Sequence, residues 1–415
     1  MSLNNRMAFI IYGYPLGVSS MVVNSIRLFA RKGFSVDVYI NSRNLKVSPV
    51  TFAEETINFI VFDDLKESIL LKCYRFIMRQ TGNLFAFFGK AFSISFTLSL
   101  LFPHLFAFSN WLEVGFRSRD YKYIVPVEFY SLICAHNFIT KAKIIYFNLE
   151  LMDWAKKNPI IKNSFLFKHL EYRSIRNSVS YVAVPSPRRA QLFSRINDFD
   201  LSKIYVLPVA STGEPVITKS SFFRKTFSIP EGNVIVIYCG NIMPWAKCLE
   251  IVQSVRKWPK NYVLIIHTWN KPMIGTSYYR RLTQEAKGLP VFFSEGFIEY
   301  DQLPIALSSA DIGIAFYDEL DDNFTEILYS SNKIGEYLKA GLPIVCSDLP
   351  SLRDFVKVNG IGLTTSLKDL PSAVKLVGDN LALYRGNVLS CYRSKYRFEL
   401  YFDKFCSLLF NDISG

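Results

Sequence analysis

Apolar and polar positions along this chain fall into short blocks that repeat one grammar. Met7–Tyr12 (MAFIIY) is an apolar run, followed by the glycine-bearing loop GYPLGVSS. A helical pattern from Met21 to Lys32 comes next, ended by Gly33, and then a second apolar run from Phe34 to Ile40. Short apolar runs bounded by turn residues predict strands buried on both faces, while apolar spacings of three and four predict the helices between them. The grammar returns at Ile57–Phe62, Tyr123–Glu128, Ile144–Phe147, Tyr181–Val184 and Ile204–Leu207. It resumes at Val234–Cys239, Tyr262–His267, Val291–Phe293, Ile312–Phe316 and Ile344–Cys346. Strands alternating with helices predict an α/β protein with doubly wound parallel sheets. The polar stretch Pro208–Pro230 interrupts the series. The expected organisation is an N-terminal Rossmann-like domain over 1–208, a linker over 209–230, a C-terminal Rossmann-like domain over 231–390 and a terminal helix over 391–415.

The most informative block is Ser330–Asp348, SSNKIGEYLKAGLPIVCSD. Ser331 or Asn332 can cap a helix of about two turns from Lys333 to Ala340. Gly341 sits where a left-handed residue belongs, and Pro343 blocks continuation before the Ile344–Cys346 strand. The helix N-terminus presents N–H groups and a partial positive charge, which suits a phosphate. Lys333 and Glu336 share one face of the first turn. They read as a cation for a diphosphate and a carboxylate for a sugar diol, or equally as a solvated lysine and a carboxylate complementing the helix dipole. Spacing leaves both readings open.

Other candidates follow apolar runs, where ligands of open α/β sheets bind. Gly13 and Gly17 lie after the first run, as ligand-approach or plain turn glycines. Their GxxxG spacing is not the dinucleotide fingerprint, and Asn41 stands where an acidic residue would close the next strand, so an NAD site is not expected. Glu150 and Asp153 follow Ile144–Phe147, as acceptor-side carboxylates or helix caps. Gly240 and Lys247 follow Val234–Cys239, placed for a phosphate. The backbone from Gly296 to Ile298 suits a base edge, with Phe297 or Ile298 against the base face, or forms a simple turn.

Leu84–Phe108 holds one Lys, one His and one Pro in 25 residues, long enough to cross a bilayer. A crossing would put strands of one sheet on opposite sides, so a span is not expected. A core helix pair and a hairpin in the membrane interface both remain open, with Arg75, Arg79, Arg117 and Arg119 flanking the segment and Lys90 within it for an anionic leaflet. Formal net charge is +13, which favours an anionic partner. No clustered basic run occurs, so nucleic acid is not expected. Seven cysteines without CxxC read as reduced thiols, four scattered histidines give no metal set, and the N-terminus lacks a signal-peptide pattern. The expected location is cytoplasmic, peripheral on the inner face of the membrane.

The ordered set of GYPLGVSSMVVNSIRLFARKGFSVDVY, YFNLELMDW, RSIRNSVSYVAVPSPRRAQLF, VIVIYCGNI, GFIEYDQLPIALSSADIGIAFY and SSNKIGEYLKAGLPIVCSD resembles the GT-B glycosyltransferases. The resemblance is to the bacterial nucleotide-sugar-dependent group (family 4-like, or group 1-like). It implies two Rossmann-like domains facing a cleft, with the C-terminal helix crossing back to the N-domain. It also implies a nucleotide-sugar donor (UDP or GDP), no cofactor and no metal. By that resemblance Ser331, Asn332 and Lys333 hold phosphate and Glu336 holds ribose. The chain departs from the pattern in several places. Leu328 stands where a second glutamate is usual, leaving Asp318 and Glu326 as out-of-register sugar contacts. Lys247 alone remains of an Arg–Lys pair, Leu149 replaces a histidine, and Val209 replaces an asparagine. The implied function is a retaining, metal-independent transfer of a sugar to a glycan or lipid-linked acceptor in surface polysaccharide synthesis. A soluble peptide or natural-product acceptor, a non-catalytic sugar-nucleotide-binding scaffold and a sugar-nucleotide epimerase are the alternatives.

Overall fold

A computed structural model describes residues 5–63, 93–136, 142–154, 164–269 and 275–411. The chain divides into two units, Met1–Leu207 and Pro208–Gly415. The strands of the first are β1 (Arg6–Ile11), β2 (Ser35–Asn41), β3 (Ile57–Phe62), β4 (Tyr123–Val127), β5 (Lys143–Phe147), β6 (Val179–Val184) and β7 (Ile204–Val206). They form one parallel sheet in the order β3-β2-β1-β4-β5-β6-β7. The second unit holds β8 (Val234–Cys239), β9 (Tyr262–Thr268), β10 (Val291–Glu295), β11 (Ile312–Ala315), β12 (Ile344–Ser347) and β13 (Gly362–Thr365). Their order is β10-β9-β8-β11-β12-β13, again parallel. Strands such as VIVIYC are apolar throughout because helices cover both sheet faces. In each sheet the order reverses beside the first strand, between β1 and β4 and between β8 and β11. Such reversals open a crevice at the carboxyl ends of the strands.

Three departures from the sequence expectations have clear causes. The strand expected to include Glu128 ends at Val127, because Glu128 turns left-handed (φ +64) and opens the helix Glu128–Ala135. β13 carries no apolar block, only GLTT, and its partner β12 sets it by register. The stretch expected as a linker contains a short helix, Phe222–Thr226. It lies within the second unit, where Val209 N–H donates to the Tyr329 carbonyl at 2.7 Å and Val216 N–H to the Lys339 carbonyl at 2.8 Å.

Arg75, Arg79 and the first residues of the Leu84–Phe108 segment, Lys90 among them, lie outside the described residues. From Ser93 on, that segment is a helix pair, Ile94–Leu101 and Pro103–Arg117, burying Ile94, Leu98, Leu101, Leu105 and Phe108. Its strand-like alternation is absorbed locally, since Thr97 Oγ1 donates to the Ser93 carbonyl (3.0 Å) and Ser99 Oγ to the Phe96 carbonyl (2.9 Å). A helix thereby satisfies its own hydroxyls. No helix among the described residues is long and apolar enough to cross a membrane. The six described cysteines are buried free thiols.

One buried ion pair stabilises the first unit. On the helix Ser164–Ser178, Lys168 Nζ lies 2.8 Å from Glu171 Oε2 and donates to Asn197 Oδ1 at 2.6 Å. Glu171 Oε1 accepts from the Tyr146 hydroxyl at 2.6 Å. Both side chains are almost fully buried and every charged end is partnered, the condition under which a buried pair is tolerated.

Candidate functional site

The Ser330–Asp348 block folds as its residues dictate. Ser331 is the cap of the helix Asn332–Lys339, its Oγ accepting from Ile334 N–H at 3.3 Å, and Gly341 takes the left-handed position (φ +71). Such a cap stabilises a helix by about 1 kcal/mol. The Ser331 hydroxyl also hydrogen-bonds the Tyr317 hydroxyl at 2.6 Å. Buried Ile334, Tyr337 and Leu338 fix the helix against the sheet. The N-terminus of this helix therefore has a defined direction.

Lys333 reaches the reversal point of the second sheet. Its Nζ lies 3.9 Å from the Tyr238 ring centroid, at the end of β8, and 4.9 Å from that of Tyr317, just past β11. Cation–π contact of this kind contributes on the order of 2 kcal/mol when desolvated. Trp245 lies parallel to Tyr317 at 6.4 Å and extends the aromatic wall. Gly240, at φ +147, leaves the room that Lys333 uses: a Cβ there would stand 3.3 Å from the lysine Cε. Burial lowers the Lys333 pKa to about 8. Among the described residues no carboxylate forms an ion pair with it.

Glu336 is 4% exposed. Its Oε1 accepts from the Ser211 hydroxyl at 2.8 Å, while Oε2 has no partner among the described residues. Burial raises its pKa to about 7, with Lys339 and Ser211 opposing. A buried carboxylate oxygen left unbonded is costly, and a ligand hydroxyl would relieve that cost. The surface readings of Lys333 and Glu336 do not hold: both side chains turn inward.

The remaining donor-side candidates are placed as follows. Lys247, itself left-handed (φ +54), forms an ion pair with Asp318, Nζ to Oδ1 at 2.6 Å, so each neutralises the other. Phe297 and Ile298 are half-buried beyond β10, after Gly296. Asn332 is the first residue of the helix. Glu326 follows the short helix Asp322–Thr325, with its carbonyl accepting from Ser330 Oγ at 3.3 Å. Leu328, at the position of the absent glutamate, is buried, and its carbonyl accepts from the Tyr396 hydroxyl.

In the first unit, Gly13 (φ +74) follows β1, and a Cβ on it would stand 3.3 Å from the Tyr130 ring. Gly17 is a packing glycine, since a Cβ would lie 2.7 Å from the Ser48 carbonyl oxygen. Glu150 is exposed beyond β5, and its N–H donates to Glu128 Oε1 at 3.0 Å. Glu128 is buried, and burial first, then the nearby Glu150, raises its pKa well above the carboxylate range. Tyr14, after Gly13, has its pKa raised by burial and then by Glu128. No group of three or more His, Cys, Asp or Glu among the described residues could hold a metal ion.

Sequence reasoning missed Tyr238, Tyr317, Ser211 and Glu128. Tyr238 read as a strand-end apolar residue, Tyr317 as the first residue of the loop after the Ile312–Phe316 run, and Ser211 as linker. Glu128 read as the last residue of a strand; only the sheet order reveals that β4 borders the reversal point.

Residues 260–384 match the family described as glucosyltransferase 3-like, C-terminal domain. No curated protein matches the chain. Among solved structures, sucrose-phosphate synthase from Thermosynechococcus elongatus superposes with a TM-score of 0.70 at 14% identity, covering 99% of this chain and 100% of that one. Anabaena HepE in complex with UDP and glucose gives 0.69 at 10% identity, covering 98% and 99%. A UDP-forming α,α-trehalose-phosphate synthase from Burkholderia xenovorans gives 0.59 at 11% identity, covering 98% and 99%. The expectation drawn from the sequence motifs is thereby met: the chain has the two-unit α/β fold of the GT-B glycosyltransferases, and residues 260–384 of its second half are similar to the glucosyltransferase 3-like C-terminal domain.

Proposed function

We propose that the protein transfers a sugar from a nucleotide-sugar donor, a UDP-sugar before a GDP-sugar, to an acceptor hydroxyl. The observation that carries this reading is the unfinished Lys333–Glu336 pair at the reversal point of the second sheet. Lys333 has no carboxylate partner among the described residues, and Glu336 keeps one buried oxygen unbonded. A nucleoside diphosphate supplies both missing groups, phosphate charge for Lys333 and the helix N-terminus, and ribose hydroxyls for Glu336. The UDP bound by HepE supports the choice of base.

In the reaction the acceptor oxygen bonds the anomeric carbon. The bond from that carbon to the β-phosphate oxygen breaks, and its electron pair leaves with the nucleoside diphosphate. Lys333 and the Asn332–Lys339 helix stabilise the charge that develops there, so the reading invokes no metal. Retention of configuration is the expected outcome, with the hydroxyl proton passing to the departing phosphate. Glu150 on the first unit is the acceptor-side group, accepting a hydrogen bond from the hydroxyl. A glycan or lipid-linked acceptor at the cytoplasmic membrane face, in surface polysaccharide synthesis, belongs to the same reading. Its support is the +13 charge and the exposed Phe96 and Leu100 on the Ile94–Leu101 helix. The 209–230 linker and the return of the 391–415 segment to the first half belong to it as well.

The test is thermal stabilisation by UDP and UDP-sugars, read beside UDP release with added acceptors. Glu336→Ala should weaken UDP binding by about 1.5–3 kcal/mol, the range for a hydrogen bond to a charged group, or roughly tenfold to over a hundredfold. A wild-type protein stabilised by no UDP- or GDP-sugar overturns the reading. So does a Glu336→Ala variant that binds UDP as tightly as wild type.

A further inference from the structure

The reversal point of the first sheet lies between β1 and β4, and Glu128 sits at the carboxyl end of β4. Two features make this residue expensive. Its φ of +64 is left-handed, which costs a residue with a side chain roughly 1–2 kcal/mol. Its carboxyl is also buried beside a second carboxylate, Glu150. A glycine here would remove both costs. The chain nevertheless holds a glutamate, and an outlier of this kind points toward function.

The carboxyl makes a specific pair of contacts. Glu128 Oε1 accepts from Leu149 N–H at 2.6 Å and from Glu150 N–H at 3.0 Å. Asn148 Nδ2 donates to the Glu150 carbonyl at 3.1 Å, and the buried Arg189 donates to the Leu149 carbonyl. The peptide groups around Leu149 and Glu150 are thus gripped by three side chains, while the Glu150 side chain stays exposed. The Tyr12 N–H donates to Ser131 Oγ at 2.9 Å, tying the end of β1 to the helix that Glu128 opens.

We infer that Glu128 is a positioning residue: from its left-handed start of the Glu128–Ala135 helix it fixes the backbone of 149–150 and so aims the Glu150 carboxylate at the acceptor hydroxyl. The inference rests on the transferase reading and on Glu150 as its acceptor-side group. Glu128 acts through the neutral or the ionised carboxyl alike, because both keep an oxygen that accepts. Burial favours the neutral form, for which glutamine is a close mimic.

The experiment compares wild type, Glu128→Gly and Glu128→Gln with a UDP-sugar and acceptor, reading kcat, both KM values, the melting point and stabilisation by UDP. Glu128→Gly should melt no lower than wild type minus the loss of two hydrogen bonds, and should keep its stabilisation by UDP. Its kcat should fall about 100-fold, the scale of a misplaced reacting group, with donor KM unchanged. Glu128→Gln, which retains the accepting oxygen, should recover kcat to within about threefold of wild type, the loss being no more than that of weakening a hydrogen bond. Wild-type kcat in Glu128→Gly, or a fall in Glu128→Gln as deep as in Glu128→Gly, overturns the inference alone. A wild-type protein that turns over no sugar nucleotide overturns the transferase reading and this inference with it.

Discussion

Each unit carries a lysine and a glutamate three residues apart on one helix, KHLE at 168–171 and KIGE at 333–336, and the two pairs have opposite fates. Lys168 and Glu171 close on each other at 2.8 Å, and Asn197 and Tyr146 complete the set. Lys333 instead turns to the Tyr238 and Tyr317 rings, and Glu336 turns to Ser211. Identical spacing therefore says only that two side chains share a helix face. What surrounds the face decides between a finished structural pair and a pair with bonding capacity left over. The first is a stability element. The second is where a ligand gains the most.

The largest effect should come from breaking the finished pair. Lys168→Met leaves Glu171 charged and buried without its cation, which should cost about 3–5 kcal/mol, measured by urea unfolding; a variant as stable as wild type would erase the distinction. Next is the matching change at the other pair. Lys333→Met removes a cation that has no carboxylate partner among the described residues, so unfolding stability should fall by no more than its cation–π contribution of about 2 kcal/mol, less than the loss at Lys168. UDP affinity should drop by about 1.5–3 kcal/mol, the scale of a charged hydrogen bond. Equal stability losses in the two methionine variants would show that Lys333 is structural.

The smallest effect is in pH. Glu336 favours its neutral form when buried, with a pKa of about 7. Its contribution to stability is thus full below the ordinary carboxyl value of 4.5 and is lost as pH rises through about 7. Ribose hydroxyls call for the ionised carboxylate, so UDP affinity should rise with pH toward about 7. It should fall again as Lys333 deprotonates above about 8. Binding by calorimetry across this window should be bell-shaped; a flat profile would remove one or both groups from the site.

Most of the fold was legible because its strands are buried on both faces, and continuous apolar runs such as VIVIYC admit few other readings. The donor helix was legible for a related reason: its cap, its glycine stop and its proline are local signals. Long-range features stayed hidden. β13 lacks an apolar run and takes its place from β12. The role of Glu128 depends on which strand borders β1, a relation no local spacing encodes. Lys333 gave a correct helix position, yet its aromatic partners lie some 16 and 95 positions away in the sequence. The polar residues of 209–230 suggested a tether, where the structure has Ser211 bonded to Glu336.

Tyr337, one residue beyond Glu336, has a further consequence. Its hydroxyl accepts from Cys239 N–H at 2.8 Å and lies 3.2 Å from the carbonyl oxygens of both Ile237 and Ile314. A single phenol thus occupies the seam between β8 and β11, doing the work of rungs that the ladder there lacks. The helix is therefore pinned to the two strands it overlies and cannot slide or rotate independently of them. Any mechanical adjustment to a ligand must be made by loops or by the whole sheet, with the Lys333 and Glu336 side chains carried along as fixtures of one rigid body.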